Sequence, residues 1–132
     1  MLAQLKRDGL KLTPQRIAIV RELADDLSHP TAQDLFERLR ASFPTMSFAT
    51  VYNTLDALAR CGLSSSLHLG GPVRFDPNVA PHHHAVCDKC GAITDLPAAL
   101  QGRARARVLP EGFRVRAEER IYRGLCGRCS IV

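Results

Sequence analysis

An α+β fold is predicted by three observations. The first 76 residues carry three capped helix starts followed by a Gly-Gly hairpin. The last third carries short strand-like runs, and two Cys-x-x-Cys pairs tie that third to the middle of the chain. Cys87-Asp-Lys-Cys90 and Cys126-Gly-Arg-Cys129 suit a closed, tetrahedral four-sulfur zinc site, which is structural because it leaves no open position for catalysis.

The helical part is read from its caps. Thr13-Pro14 sets an N-cap with proline at the first helical position, and Ile17, Val20, Leu23, Ala24 and Leu27 follow at helical spacing. After the His29-Pro30 break, Thr31 with Asp34 forms a capping box ahead of Leu35, Phe36 and Leu39. Ser47 starts a third helix that buries Val51, Leu55 and Leu58, shows Ala49, Thr50, Tyr52, Asn53 and Asp56 on the other side, and stops near Cys61-Gly62. Leu63–Leu69 and Val73–Phe75 around Gly70-Gly71 make a two-stranded hairpin. Three helices and a hairpin fit a winged helix-turn-helix with the Ser47 helix in the major groove. The pattern also admits a plain helical domain with a solvated third helix. Tyr52 tilts the balance, because a large ring is an unusual choice for a merely solvated position.

In the second part, Ala85–Cys87 and Ala92–Asp95 read as short strands. Residues 97–108 read as an Ala/Arg-rich helix and Phe113–Leu125 as a long strand. So small a unit has little core of its own, so a zinc staple and a partner surface are needed to stabilise it.

Charge is a weak guide to partners. The net charge is +5, but residues 1–76 hold nine Lys/Arg against eight Asp/Glu, and residues 77–132 hold nine against five. Four zinc-bound thiolates would offset about two charges of that second excess. Locally, Lys6, Arg7, Lys11, Arg16 and Arg21 face only Asp8 within the first 21 residues, a patch suited to phosphates. The polar N-terminus does not read as a secretory signal and no run is long enough to span a membrane, so a cytoplasmic chain is expected, where paired cysteines more often hold metal than form disulfides. Cys61 is expected to be a small buried thiol.

The strings Gly9-Leu-Lys-Leu-Thr-Pro-Gln-Arg16, His29-Pro-Thr-Ala32, Ser47-Phe-Ala-Thr-Val-Tyr-Asn-Thr-Leu55, His82-His-His-Ala-Val-Cys-Asp-Lys-Cys-Gly91 and Leu125-Cys-Gly-Arg-Cys129 resemble, in order, the ferric-uptake-regulator family of metal-dependent repressors. The resemblance spans essentially the whole chain. It implies a winged-helix DNA-binding domain over residues 1–76, a hinge with metal ligands over 77–84 and an α/β dimerisation domain over 85–132, hence a homodimer on a palindromic DNA operator. It maps a regulatory metal site onto His29, Asp76, His82, His84 and Asp95. Three imidazoles and two carboxylates suit Fe(II), Mn(II) or Zn(II), and Fe(II) or Mn(II) is expected there. His82 and His84 project together from an extended segment, while His83 points away and is expected to be an exposed surface histidine outside the site. Taken singly, His29 could be a polar residue before a helix and Asp76 a turn former before Pro77. Lys11 and Arg16 resemble residues that reach the minor groove or backbone, and Thr50, Tyr52 and Asn53 are the candidates for base or phosphate contact.

Within the family, Asp95 stands where iron regulators generally place Glu and is similar to the peroxide-sensing branch, as is Leu125-Cys-Gly-Arg-Cys129. The accessory site of iron regulators is not matched, since Pro81 and His83 stand at its positions. The resemblance therefore implies peroxide sensing by oxidation of His29 or His82, with a manganese- or iron-uptake regulator as the alternative. A zinc-uptake regulator fits less well, because Cys61 is not at the sensory motif. An enzyme is not expected: the chain has no His-Glu-x-x-His helix, nucleophile elbow or phosphate loop, and no small-molecule substrate is implied. Metal storage without DNA is the remaining rival, and metal-dependent binding to operator DNA separates it from repression.

Overall fold

The computed structural model describes residues 1–98 and 109–131. The chain divides into two compact units, Met1–Val79 and Ala80–Val132.

The first unit contains four helices, α1 (Leu2–Arg7), α2 (Pro14–Ala24), α3 (Ala32–Leu39) and α4 (Phe48–Arg60), then strands β1 (Ser65–Leu67) and β2 (Arg74–Asp76). Each of the three anticipated caps is made. Thr13 Oγ1 accepts from Arg16 N at 3.2 Å and Ser47 Oγ accepts from Thr50 N at 3.1 Å. Thr31 and Asp34 exchange both bonds of the capping box, at 3.0 and 2.9 Å. Leu5, Ile19, Val20, Leu23, Leu35, Leu39, Met46, Val51, Leu55, Leu58 and Phe75 form one buried cluster.

Two expectations about α2 are corrected. The buried stripe runs through Ile19, Val20 and Leu23, and Leu27 is 69% exposed. The helix ends at Ala24 because Asp26 takes the chain into a turn, its carboxylate accepting from both the amide and the hydroxyl of Ser28. Leu27 therefore lies beyond the helical period. Helix α4 ends as expected, with Gly62 at φ 73° and Leu63 N donating to Leu58 O at 2.9 Å. Cys61 is half-buried beside the core. The neighbouring Asp8 carboxylate pushes its pKa up, the opposite of what a reactive cysteine needs.

Strands β1 and β2 pair antiparallel with Ser65 opposite Asp76 and Leu67 opposite Arg74. The hairpin is shorter than expected, and it also reaches the start of α3: Thr31 bridges Arg74 and Phe75 N donates to Pro30 O at 2.9 Å. This pins the His29-Pro30 turn against the end of β2.

The second unit is built on β3 (His82–Cys87), β4 (Ile93–Pro97) and β5 (Ile121–Gly124), ordered β4-β3-β5, with a short helix α5 (Gly127–Ser130). β3 pairs antiparallel with β4 and parallel with β5. β3 begins three residues earlier than expected, so the histidines are strand residues. The long strand predicted over Phe113–Leu125 is corrected to four residues. His84 pairs with Ile121 only two residues after β3 starts, which leaves the preceding segment almost no β3 backbone to pair with. Of the helix expected over 97–108, Pro97 belongs to β4 and residues 99–108 lie outside the described residues. Among the described residues no helix is long and apolar enough to cross a membrane.

Candidate metal centres

The four cysteines converge. Cys87 closes β3, and the turn after it is held by Gly91 N donating to Cys87 O and Cys87 N donating to Ala92 O, both at 2.9 Å. Gly91 takes φ 76°, a left-handed conformation that a side chain would disfavour. The parallel register sets Cys87 opposite Gly124, two residues before Cys126, the N-cap of α5. All four Sγ atoms lie within 4.8 Å of one another, with Cys90 and Cys126 at 3.7 Å. A tetrahedron with Zn–S near 2.3 Å has an edge of about 3.8 Å, so this donor set fits zinc.

The local electrostatics also favour thiolates at two corners. The amide of Cys90, then that of Cys126, pulls Cys87 down to about 6, and the amide of Cys129 lowers Cys126. Hydrogen bonding to Cys126 pushes Cys129 up to about 12. Four thiols this close cannot all ionise without a cation between them. A dication removes that conflict.

Two further groups of donors lie one in each unit, and each is described by itself. In the second unit, β3 puts His82 and His84 on one face, and the antiparallel register puts Asp95 directly opposite His84. His84 Nε2 lies 3.4 Å from Asp95 Oδ1, and His82 Nε2 lies 3.7 Å from the same oxygen. The rings are 4.6 Å apart, edge to face. His82 Nδ1 sits 2.6 Å from Ala80 O, which leaves Nε2 for the Asp95 side. Two ring nitrogens and a carboxylate on one point make a nitrogen/oxygen donor set of the kind that suits Fe(II), Mn(II) or Zn(II).

In the first unit, His29 is the one non-glycine residue with positive φ among the described residues, at 56°. That conformation costs about 1 kcal/mol or more and persists because its surroundings hold it: Arg74 donates to His29 O at 3.0 Å, beside the Phe75 to Pro30 bond. The result brings His29 Nε2 to 3.5 Å from Asp76 Oδ2, with both side chains buried. Asp76 is also a turn former, since its other oxygen accepts from Asn78 N at 2.9 Å.

His83 is a correction. It points to the opposite face from its neighbours, but it is 3% exposed rather than solvated. Its Nδ1 accepts from Arg120 N at 2.8 Å and its Nε2 lies 3.2 Å from Ala98 O, so the ring joins the segments beside β4 and β5. Glu119 was not among the expected residues, yet its Oε1 lies 3.3 Å from His84 Nδ1. Nothing in its spacing signals this, because the parallel β3–β5 pairing brings it there.

On α4, Tyr52 is 46% exposed and Phe48 43%. Asn53 and Ala49 are also exposed, while Val51 and Leu55 are fully buried on the other face. Phe48 packs edge-on to Phe36, with centroids 5.9 Å apart, and lies 6.5 Å from Tyr52. Thr50 is partly committed to the helix start, its hydroxyl 3.0 Å from Ser47 Oγ. Lys11 is exposed, and Arg16 spends one N–H on Lys11 O at 2.6 Å.

Comparison with known proteins follows the same lines. The model of the ferric uptake regulator family matches residues 7–120. A protein named peroxide operon regulator, from Bacillus subtilis (strain 168), is 38% identical over 131 residues, covering 98% of this chain and 90% of its own length. The crystal structure of the Campylobacter jejuni peroxide stress regulator is 29% identical, covers 98% of each chain and superposes with a TM-score of 0.67. The Helicobacter pylori ferric uptake regulator reaches a TM-score of 0.79 over 98% of this chain and 88% of its own, at 21% identity, a likeness of fold alone.

Proposed function

Because the chain belongs to the ferric uptake regulator family, we propose that it is a cytoplasmic, dimeric, metal-dependent repressor of operator DNA that senses peroxide through its regulatory metal ligands. The carrying observation is the convergence of His82 and His84 Nε2 on Asp95. The buried His29–Asp76 pair supplies matching chemistry from the DNA-binding unit. Relatives named as peroxide regulators support the finer reading.

In this reading Cys87, Cys90, Cys126 and Cys129 hold a structural zinc, and His29, Asp76, His82, His84 and Asp95 together hold Fe(II) or Mn(II). His82–His84 belong to β3, which supports narrowing the expected hinge from 77–84 to residues 77–81. With the ligands separated, the two winged helices of a dimer sample many spacings, and only some match an operator. Ligands from both units engaged together select one arrangement, and the shift is only as large as the difference in metal affinity between the arrangements. The dimer's two-fold symmetry makes the operator an inverted repeat, with Tyr52 and Asn53 of α4 at base edges and Lys11 and Arg16 at the backbone.

Ferrous iron, when bound, supplies redox chemistry with peroxide at the coordinating imidazoles. An oxygenated His29 or His82 is a poor ligand, so the selected arrangement is lost. The short arm of Asp95 holds one carboxylate near His82 and His84, and the longer Glu would change that coordination. The test is mass spectrometry of peptides after mild peroxide. One added oxygen on the His29 or His82 peptide is expected in the iron form and not in the manganese form, and less of it in Asp95→Glu. Equal oxidation with both metals, or none with iron while repression still follows metal, reassigns the protein to manganese or iron uptake control.

A further inference from the structure

We propose that Glu119 is a positioning residue for the regulatory metal: it holds the imidazole of His84 with Nδ1 protonated, so that the Nε2 lone pair faces the Asp95 side. This rests on the reading of His82, His84 and Asp95 as metal ligands.

The two nitrogens of His84 have distinct surroundings. Nε2 looks toward Asp95 Oδ1 at 3.4 Å, the oxygen on which His82 Nε2 also converges. Nδ1 looks the other way, with Glu119 Oε1 at 3.3 Å, an ion-pair contact that a small turn of the exposed carboxylate would bring into hydrogen-bond geometry. The ring is 2% exposed, so its orientation is set by protein neighbours. A neutral imidazole can donate from one nitrogen and ligate from the other, and a carboxylate at the far nitrogen selects the tautomer and raises the basicity of the near one.

Glu119 is held in place from both sides of the next peptide. Arg120 N donates to His83 Nδ1 at 2.8 Å, while Arg120 O accepts from His84 N at 3.0 Å. These two bonds lock the chain just before β5 against β3, and they explain what the buried His83 does there. The adjacent carboxylate is committed elsewhere: Glu118 pairs with Arg120 at 3.4 Å. Glu119 is the carboxylate of the pair seen beside His84.

The outer carboxylate of such a triad is typically worth 10- to 100-fold in metal affinity. Glu119 is 52% exposed, and screening places the expected loss near the lower end, about tenfold. The experiment is Mn(II) titration of the zinc-loaded dimer, followed by electron paramagnetic resonance, for wild type, Glu119→Gln, Glu119→Asp, Glu118→Gln and His84→Ala. About tenfold weaker binding is expected in Glu119→Gln, with partial recovery in Glu119→Asp, wild-type affinity in Glu118→Gln and unchanged zinc content throughout. Nitrogen-15 spectra of the Mn-free, zinc-loaded protein should show His84 as the Nδ1–H tautomer in wild type and a mixture in Glu119→Gln, a change that loss of packing alone does not produce. Wild-type Mn(II) affinity in Glu119→Gln, together with a large loss in His84→Ala, overturns the role of Glu119 alone. Unchanged affinity in His84→Ala overturns the metal site on which it rests.

Discussion

Replacing Tyr52 by alanine separates the core role of α4 from its proposed role in reading DNA, because the helix divides its residues cleanly between core and solvent. Val51 and Leu55 are fully buried, and truncating Leu55 to alanine should cost about 2–5 kcal/mol of stability. Tyr52 is 46% exposed and meets Phe48 at a centroid distance of 6.5 Å. An exposed aromatic pair of this kind contributes less than the ~0.5–1.5 kcal/mol of a well-packed one, so folding should lose well under about 1 kcal/mol. Binding should lose more. A base-edge contact is worth about 1–3 kcal/mol, and the proposed dimer on an inverted repeat would make it twice, so at least about 2 kcal/mol is at stake. That corresponds to roughly 30-fold in operator affinity. The assay is fluorescence anisotropy on the chain's own upstream DNA with saturating Mn(II), with thermal melting and zinc content measured on the same preparations. A melting shift as large as that of Leu55→Ala would place the ring in the core. Unchanged affinity with an intact fold would remove α4's polar face from base reading.

Serine at Cys126 should drop zinc from about one per chain to near zero and yield a monomer on a sizing column; a zinc-loaded dimer refutes the four-sulfur assignment. Alanine at Lys11 should weaken binding evenly across DNA sequences and reduce the slope of log affinity against log salt by about 1, whereas an unchanged slope excludes a phosphate contact. Burial raises the Asp26 carboxyl, but bonds from Ser28 and Arg38 outweigh it and hold the pKa below the usual carboxylate range. The stabilisation is therefore present above about pH 4 and lost as pH falls through the lower folded value. Arg38 is 40% exposed, so Asp26→Asn should cost no more than about 1 kcal/mol at pH 7 in urea melts, with the gap closing toward pH 2; a gap that widens in acid reverses the sign and the assignment.

The N-terminal half was legible because its signals are local. A cap lies within three residues of the amide it serves, and Thr13, Thr31-Asp34 and Ser47 each announce a helix from adjacent sequence. The cysteine pairs were legible too, since thiolate chemistry and two-residue spacing narrow what they can hold. What depended on partners far along the chain was not. Leu27 follows the helical period on paper, but the Asp26 turn ends the helix before it. Phe113–Leu125 alternates like a strand, yet only four residues find β3 to pair with. His83 looked like the solvated alternate of a two-residue period until the amide of Arg120, 37 residues away, came to its ring. Residue type and spacing determined which side chains could bind a metal, because donor chemistry belongs to the residue itself. The tertiary structure decided which nitrogen of His82 and of His84 lies toward Asp95, because that choice is made by the Ala80 carbonyl and by carboxylates brought in by strand pairing.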